Sequence, residues 1–333
     1  MNRIGFTTTI PLEVVVAAGK RPVDLNNIFI NSPRSHQMIE EAEIEGFPRN
    51  ICGWIKGIYA ATRECGIREV IAVTEGDCSN TRALMEVLSL DGVETVPFAY
   101  PGDRDATTLR FEIEKLMRHF GVDWDAVNRA KERLDRIRRK VREIDRLTWA
   151  EDKVSGLENH YFHVCTSDMN GDPDAFETEV DTFLAEAANR PARNTSIRLA
   201  YIGVPPILED LYPFLESHGA SVVFNETQRQ FAMPNESTDL IEQYLNYTYP
   251  YDIFFRLSDI MLELKRRKVD GVIHYVQSFC FRQIEDMIVR KKLPLPILTL
   301  EADKPSRLDA RTKIRIEGFL EMLAERRGPG TRG

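Results

Sequence analysis

The sequence lacks the features of a disulfide-stabilised, membrane-spanning or nucleic-acid-binding protein. Its 333 residues include only five cysteines, an odd number, and no two of them form a Cys-X-X-Cys pair. Such a set is a poor disulfide framework and argues against a zinc ribbon or a thioredoxin-like site. No apolar run approaches the roughly 20 residues of a membrane helix. The net charge of −8 is opposite in sign to the basic face that nucleic-acid binding usually requires.

Two further absences concern nucleotides and secretion. No compact glycine-rich loop is present, so we do not expect this chain to bind ATP. The apolar segment at residues 10–19 includes Glu13 and lacks a strong basic lead, so it fits an ordinary helix better than the core of a signal peptide. We therefore expect a cytoplasmic location.

The composition that remains is typical of a globular α/β protein. The hydrophobic fraction of 43% and the charged fraction of 29% are ordinary, and the length suggests two or three units. Strand-like and helix-like patterns alternate in both halves of the chain, which predicts two Rossmann-like parallel-sheet domains with a helical insert between them and a site at the cleft. The predicted units are an N-terminal α/β domain at 1–105, a helical section at 106–195, a C-terminal α/β domain at 196–326 and a disordered tail at 327–333.

Local patterns in the first half give three expectations. Residues 22–30 are predicted to be extended, and residues 51–65 are predicted to form a helix capped by Asn50. The three threonines at 7–9 follow the first strand. Capping of the next helix is the simpler interpretation, with lining of the cleft or phosphate binding as alternatives.

Local patterns further along predict two more helices. A narrow apolar stripe between residues 130 and 144 predicts a long helix that packs on one neighbour, for which residues 174–189 are a candidate. A helical arm that contacts a partner subunit is the alternative. Apolar residues spaced between 281 and 288 predict a helix with one apolar face.

Three of the five cysteines lie where an α/β fold exposes chemistry. Cys78 and Cys280 each follow an apolar strand and precede a helix, and Cys52 lies in the first turn of its predicted helix. Free N–H groups at helix starts favour thiolates. By contrast, Cys65 lies at the carboxyl end of a helix, so we interpret it as structural, and Cys165 in the helical section is interpreted as structural or near a substrate channel.

These three cysteines would form one site if the two α/β halves face each other. Cys52 and Cys78 belong to the first half and Cys280 to the second. Thiolates at strand ends and helix starts would make a cradle for an iron–sulfur cluster. Spacing alone leaves open the alternative of scattered, inert core thiols.

Longer blocks of sequence resemble the 2-hydroxyacyl-CoA dehydratase and benzoyl-CoA reductase family, in particular its cluster-carrying dehydratase subunits. The blocks are TTTIPLEVVVAAGKRPVDL at the start, FPRNICGWIKGIY around Cys52, VIAVTEGDCSNT around Cys78, the stretch around Cys280, and TKIRIEGFLEML near the end. They span nearly the whole chain in the family's order. The resemblance implies two α/β domains with a helical section, and a [4Fe–4S] cluster held by the three cysteines.

The resemblance has two local departures. The family usually has Cys-Pro at the first ligand, where this chain has Cys52-Gly53, and Cys-Asp-Gly-Lys at the second, where it has CSNT at 78–81. The chain is also somewhat short for the family. These departures keep the thiolates and change the pocket around them.

The resemblance also implies a reaction and partners. The reaction would be radical dehydration of a 2-hydroxyacyl-CoA through a ketyl radical, with an open iron that binds the substrate oxygen. The implied partners are an acyl-CoA substrate, an ATP-dependent iron–sulfur activator protein, and either a homologous second subunit or a second copy of this chain.

Four polar residues near the cysteines complete the candidate site. Glu75 and Asp77 precede the second cysteine and are the candidate catalytic carboxyls, with turn formation and helix capping as the alternative. Gln277 and Ser278 lie in the turn of the third cysteine and are candidate hydrogen-bonding groups for the cluster.

Three other functions compete with the dehydratase. The first is an ATP-activator-dependent reductase of small molecules of the double-cubane type, which would need more thiolates than three. The second is a non-catalytic iron–sulfur electron carrier or scaffold subunit. The third is an α/β binding protein that holds no cluster.

Overall fold

Eight parallel strands form two four-stranded sheets in the computed structural model, which describes residues 2–327. The strands of the first sheet are β1 (Arg3–Phe6), β2 (Arg21–Asp24), β3 (Glu69–Glu75) and β4 (Glu94–Ala99). Those of the second are β5 (Ile197–Gly203), β6 (Ala220–Asn225), β7 (Gly271–Gln277) and β8 (Ile297–Ala302). The orders across the sheets are β2-β1-β3-β4 and β6-β5-β7-β8, with all neighbours parallel. The predicted α/β class with two parallel sheets is confirmed.

Helices connect the strands and fill the segment between the sheets. The first half contains α1 (Leu12–Ala17), α2 (Leu25–Asn31), α3 (Ser35–Ile44), α4 (Gly53–Glu64) and α5 (Thr81–Leu90). Between the sheets lie α6 (Ala106–Phe120), α7 (Trp124–Trp149), α8 (Gly156–Cys165), a 3-10 turn (Met169–Gly171) and α9 (Pro173–Ala188). The second half contains α10 (Leu211–Ser217), α11 (Glu226–Phe231), α12 (Leu240–Leu245), α13 (Ile253–Arg266), a 3-10 turn (Phe281–Glu285), α14 (Asp286–Lys292) and α15 (Ala310–Arg327).

Residues 106–195, all of which are described, contain helices and no strand. Of the tail predicted at 327–333, Arg327 ends α15 and the rest lies outside the described residues. None of the helices in residues 2–327 combines the length and apolarity that a bilayer span needs.

The apolar stripe of α7 packs inside the protein. Its members at 130, 134, 137, 141 and 144 are all buried. Helix α9 is one of its neighbours, and the two are joined by ion pairs such as Arg136–Glu177 at 2.7 Å and Lys140–Asp181 at 2.6 Å. The predicted packing of this helix on residues 174–189 is therefore confirmed, although α1 packs against it as well.

Side chains from both sheets share one buried cluster. Leu25 and Ile55 from the first half belong to the same cluster as Tyr201, Tyr275 and Leu300 from the second. Burial of apolar surface, worth about 25 cal/mol per Å², therefore holds the two sheets together as well as stabilising each one.

Two local predictions in the first half are wrong. The extended run at 22–30 ends at Asp24, because the Asp24 side chain accepts a hydrogen bond from Asn26 N and caps α2. The helix predicted from residue 51 begins at Gly53, so its N-cap is Cys52 and not Asn50.

Only part of the apolar face predicted at 281–288 packs into the core. Ile284 is 72% exposed and Met287 is 62% exposed, whereas Ile288 packs against a buried apolar cluster. Polar contacts also hold α14 in place: Asp286 Oδ1 lies 2.7 Å from His274 Nδ1 and accepts a hydrogen bond from Thr299 Oγ1 at 2.8 Å. These contacts to β7 and β8 orient the segment.

We predict that Gly57→Ala destabilises the protein although alanine is the better helix former. A Cβ atom at position 57 of α4 would lie 2.3 Å from Phe29 Cγ on α2, so the two helices would have to separate. Overpacking of this kind costs about 1–3 kcal/mol. Urea denaturation measures the free energy of unfolding.

The matched control is Gly318→Ala in α15, where an added Cβ meets no atom within 4 Å. Helix propensity should then raise the free energy of unfolding by up to about 1 kcal/mol. Equal stabilisation by both substitutions would show that α2 and α4 are not in close contact.

Candidate functional site

Both sheets open onto one pocket at the carboxyl ends of their central strands. The chain reverses its direction across the sheet between β1 and β3, and again between β5 and β7. Open α/β sheets bind ligands at such positions. The pocket has about 950 Å³ of space, partly open to solvent, and its walls include residues 7–9 after β1, 77–78 after β3, 204–206 after β5 and Gln277 at the end of β7.

Cys52, Cys78 and Cys280 all line this pocket. Cys52 is the residue before α4, Cys78 lies in the turn between β3 and α5, and Cys280 precedes the 3-10 turn that leads into α14. All three are free thiols. The structure therefore brings together the three cysteines that the sequence singled out.

The three thiols share one kind of local environment. In each case the backbone N–H of the residue two positions further on acts to lower the pKa of the thiol, although neither Cys52 nor Cys280 makes a side-chain capping hydrogen bond. Those residues are Trp54, Asn80 and Arg282. The free N–H groups of three chain segments thus converge on the pocket, as expected for a site that accepts negative charge.

Burial nevertheless keeps these thiols protonated when nothing positive is bound. It raises the pKa of Cys52 to about 12, with a further increase from the nearby Cys78 and Cys280 thiols. It also raises the pKa of Cys78 to about 12, with Asp77 and Cys280 adding to the effect. Burial also raises the pKa of Cys280. A cationic group that binds all three sulfurs would remove this cost, since it stabilises thiolates.

The arrangement does not suit a single metal ion. Among residues 2–327, no group of three or more His, Cys, Asp or Glu side chains is placed to hold one. An iron–sulfur cluster is wider than one ion, and its cysteine ligands bind different irons, so they stand farther apart. The donor chemistry of three thiols around a pocket fits a cluster.

One backbone oxygen contacts the segments next to the first and third cysteines. Gly53 follows Cys52, and a Cβ atom there would lie only 2.5 Å from the carbonyl oxygen of Asp303, just after β8. The same oxygen accepts a hydrogen bond from Gln277 Nε2 at 2.9 Å. The departure from Cys-Pro to Cys52-Gly53 therefore has a structural reason: only glycine allows this approach.

Asp77 lies in the pocket beside the second cysteine. Its carboxylate accepts a hydrogen bond from Tyr249 Oη at 3.1 Å. Burial raises the pKa of Asp77, and the nearby Arg282 guanidinium acts in the opposite direction. The turn itself requires Gly76, which has φ = +89° and packs against Pro250.

The other predicted polar residues separate into two groups. Gln277 is buried in the pocket wall, where its Oε1 accepts a hydrogen bond from Tyr275 Oη at 2.8 Å. Glu75 and Ser278 are not among the pocket residues. Glu75 is exposed and pairs with Arg82 at 3.3 Å, and Ser278 donates a hydrogen bond to Glu301 at 2.8 Å.

Several pocket residues carry weak sequence signals or none. The threonines at 7–9 line the cleft, which was one of the alternatives. The simpler interpretation of them as helix caps is wrong, because α1 begins after Pro11 without a side-chain cap. Asp24 and His160 also line the pocket, and neither lies near one of the three pocket cysteines in the sequence. Cys65 and Cys165 lie outside the pocket, as their structural interpretation requires.

We predict that Asp77→Asn speeds alkylation of Cys78 in the metal-free protein. The negative charge of Asp77 raises the pKa of the Cys78 thiol, so its removal should lower that pKa and increase the thiolate fraction at a fixed pH. Mass spectrometry after iodoacetamide treatment at pH 9 should show a rate several-fold higher. Cys165, whose pKa is also about 12, serves as the internal control and should be unaffected. An unchanged rate at Cys78 would contradict the assigned contact.

The comparisons with known proteins agree with this geometry. No curated protein matches the chain. One family profile, described as the 2-hydroxyglutaryl-CoA dehydratase D-component, matches residues 7–323, which include every strand except β1, the helical section and all three pocket cysteines. The chain therefore belongs to the 2-hydroxyglutaryl-CoA dehydratase D-component family.

Proposed function

We propose that this protein is the cluster-binding subunit of a 2-hydroxyacyl-CoA dehydratase, with one [4Fe–4S] cluster on Cys52, Cys78 and Cys280. The observation that carries the proposal is that three free thiols from both halves of the chain line one pocket at the carboxyl ends of both sheets. Membership of a dehydratase component family supports the reaction class.

Three thiolates leave one iron of a four-iron cluster without a protein sulfur. When bound, the cluster would supply a low-potential electron and an open Lewis-acidic iron beside the substrate. Cys65 and Cys165, the remaining thiols, lie outside the pocket. The chain thus has too few converging thiols for a double cubane, which disfavours the alternative of a double-cubane reductase.

The chain's own residues would bind the acyl group and handle protons. Trp54, Ile55 and Ile58 form an apolar wall that excludes water from part of the pocket. Asp77 would hold or release a proton at its carboxyl group, and burial, which raises the pKa of Asp77, favours the protonated form. Tyr249 donates to that carboxyl and holds it in position. Glu75 is exposed and does not line the pocket, so we assign it no proton transfer.

The proposed partners follow from the family. A D-component works with other components, and we propose a homologous second subunit or a second copy of this chain, together with an ATP-dependent iron–sulfur activator protein. The pocket is also lined by polar side chains that a cluster would not need, among them Asp24 and His160. This favours an enzyme over a non-catalytic electron carrier.

We predict that Cys280→Ser lowers the cluster content sharply. After anaerobic reconstitution, the unsubstituted protein should hold about four irons and four sulfides per chain. Replacement of one of three ligands should leave less than half of this amount, because serine is a poor cluster ligand. Colorimetric iron and sulfide assays measure the content.

Cys165→Ser is the matched control, because Cys165 is also buried but lies outside the pocket. It should leave the iron content unchanged. Equal loss in both variants would mean that instability, and not ligation, explains the effect. Absence of iron in the unsubstituted protein would sink the proposal.

We further predict that a substrate changes the electronic spectrum of the reduced cluster. An oxygen ligand at the open iron alters its electronic environment. EPR spectra of the reduced protein, recorded with and without 2-hydroxybutanoyl-CoA, should differ in g values or line shape. Coenzyme A alone is the control. Identical spectra would support the carrier hypothesis over the enzyme.

A further inference from the structure

The pocket contains a histidine that the cysteine chemistry does not use. His160 projects from α8 of the helical section and lines the pocket wall opposite the sheets' own residues. Its Nδ1 atom lies 3.0 Å from Gln228 Nε2 and 3.3 Å from Tyr212 Oη. Its Nε2 atom makes no hydrogen bond to any side chain or backbone group in residues 2–327.

A chain of hydrogen bonds fixes the direction in which these groups donate. Asn225 Nδ2 donates to the carbonyl oxygen of Gly156 at 3.3 Å and to Asn159 Oδ1 at 2.8 Å. Its Oδ1 is therefore an acceptor, and it receives the hydroxyl proton of Tyr212 at 2.7 Å. The Tyr212 oxygen is left to accept hydrogen bonds.

The donor and acceptor directions in this chain of hydrogen bonds also indicate the tautomer of His160. Gln228 Nε2 donates to the accepting Tyr212 oxygen at 3.4 Å, an amide orientation that leaves the buried Gln228 Oε1 without a hydrogen-bond partner. Gln228 Nε2 then also donates to His160 Nδ1, so Nδ1 carries no proton. In a neutral imidazole the proton must then lie on Nε2. Burial, with a smaller effect from His163, lowers the pKa of His160 to about 3, so the ring is neutral at physiological pH.

Other nitrogen donors in the pocket wall are already engaged. Asn26 Nδ2 donates to Thr7 O and to Asp24, and Asn27 Nδ2 donates to Val164 O and Ser167. Arg282 donates to the Tyr249 carbonyl and to Glu285. Trp54 Nε1 has no partner, but it is completely buried. His160 Nε2–H is thus the ring donor left for a ligand.

We propose that His160 is a ligand-binding residue whose Nε2–H donates a hydrogen bond to an uncharged oxygen, a carbonyl or hydroxyl group, of the acyl part of the substrate. Gln228 and Tyr212 act as positioning residues that hold the imidazole in this tautomer. The inference rests on the proposed function, since it assumes an acyl-CoA in the pocket. A neutral donor suits an uncharged acceptor, because it adds no positive charge to a pocket that already contains Asp24 and Asp77.

The tautomer can be tested without a substrate or a cluster. Long-range ¹H–¹⁵N NMR spectra of histidine-labelled protein distinguish protonated from unprotonated ring nitrogens for each of the six histidines. For His160 we expect a protonated Nε2 and an unprotonated Nδ1 at pH 7, unchanged at pH 5.5. A proton on Nδ1, as a reversed Gln228 amide would require, or a cationic ring at pH 5.5, would overturn the inference.

Binding of 2-hydroxybutanoyl-CoA to the anaerobically reconstituted protein tests the contact itself. His160→Phe, which keeps a ring without a donor, should weaken binding about 3- to 10-fold in calorimetric titration, as expected for one lost hydrogen bond. His160→Gln, which keeps an N–H donor, should recover part of the affinity. His36→Phe on the exposed surface of α3 should have no effect.

The outcomes separate the two proposals. Tight binding by the unsubstituted protein with unchanged affinity in His160→Phe would refute the role of His160 and leave the proposed function intact. Absence of binding by the unsubstituted protein would contradict the proposed function and, with it, this inference, whatever tautomer the NMR spectra show.

Discussion

The close approach of the Asp303 carbonyl oxygen to Gly53 is the contact on which the geometry of the site depends. Gly53 begins α4 directly after Cys52, and the Asp303 oxygen also accepts a hydrogen bond from Gln277. Gln277 in turn lies three residues before Cys280. One backbone oxygen therefore contacts both the residue after Cys52 and a side chain from the segment that leads to Cys280. A side chain at position 53 would force these segments apart, which explains the glycine there.

The strand order of the two sheets brings the other pocket residues close to this contact. Each reverses its strand order between its two central strands, and the carboxyl ends of those strands face the same pocket. Strand ends and helix starts supply converging N–H groups, while burial and mutual repulsion hold the thiols protonated. A positively charged group bound to the three sulfurs would stabilise their thiolate forms. The shared apolar cluster of the two halves stabilises the arrangement before any occupant binds.

The sequence predicted those parts of the site that lie next to a regular pattern. Cys78 and Cys280 follow apolar strands, and such strands end at predictable positions, so their place at a sheet edge could be inferred. Asp77 and Gln277 were found because they are neighbours of these cysteines. Glu75 was included for the same reason, but strand alternation and the turn at Gly76 leave it exposed. The exposure of Ile284 and Met287 was not predicted, because the orientation of α14 is set by polar contacts to His274 and Thr299 that the apolar spacing does not reveal. His160 lies near Cys165 in the sequence but near no pocket cysteine, and the packing of α8 against β6 and α11 brings it to the pocket.

We propose that the three cysteines of this pocket hold one iron–sulfur cluster. An anomalous difference map at the iron absorption edge, from crystals grown anaerobically after reconstitution, tests this directly. We expect one compact iron peak, within bonding distance of the sulfurs of Cys52, Cys78 and Cys280. Iron bound elsewhere, or a pocket without anomalous density in protein that contains iron, would contradict it.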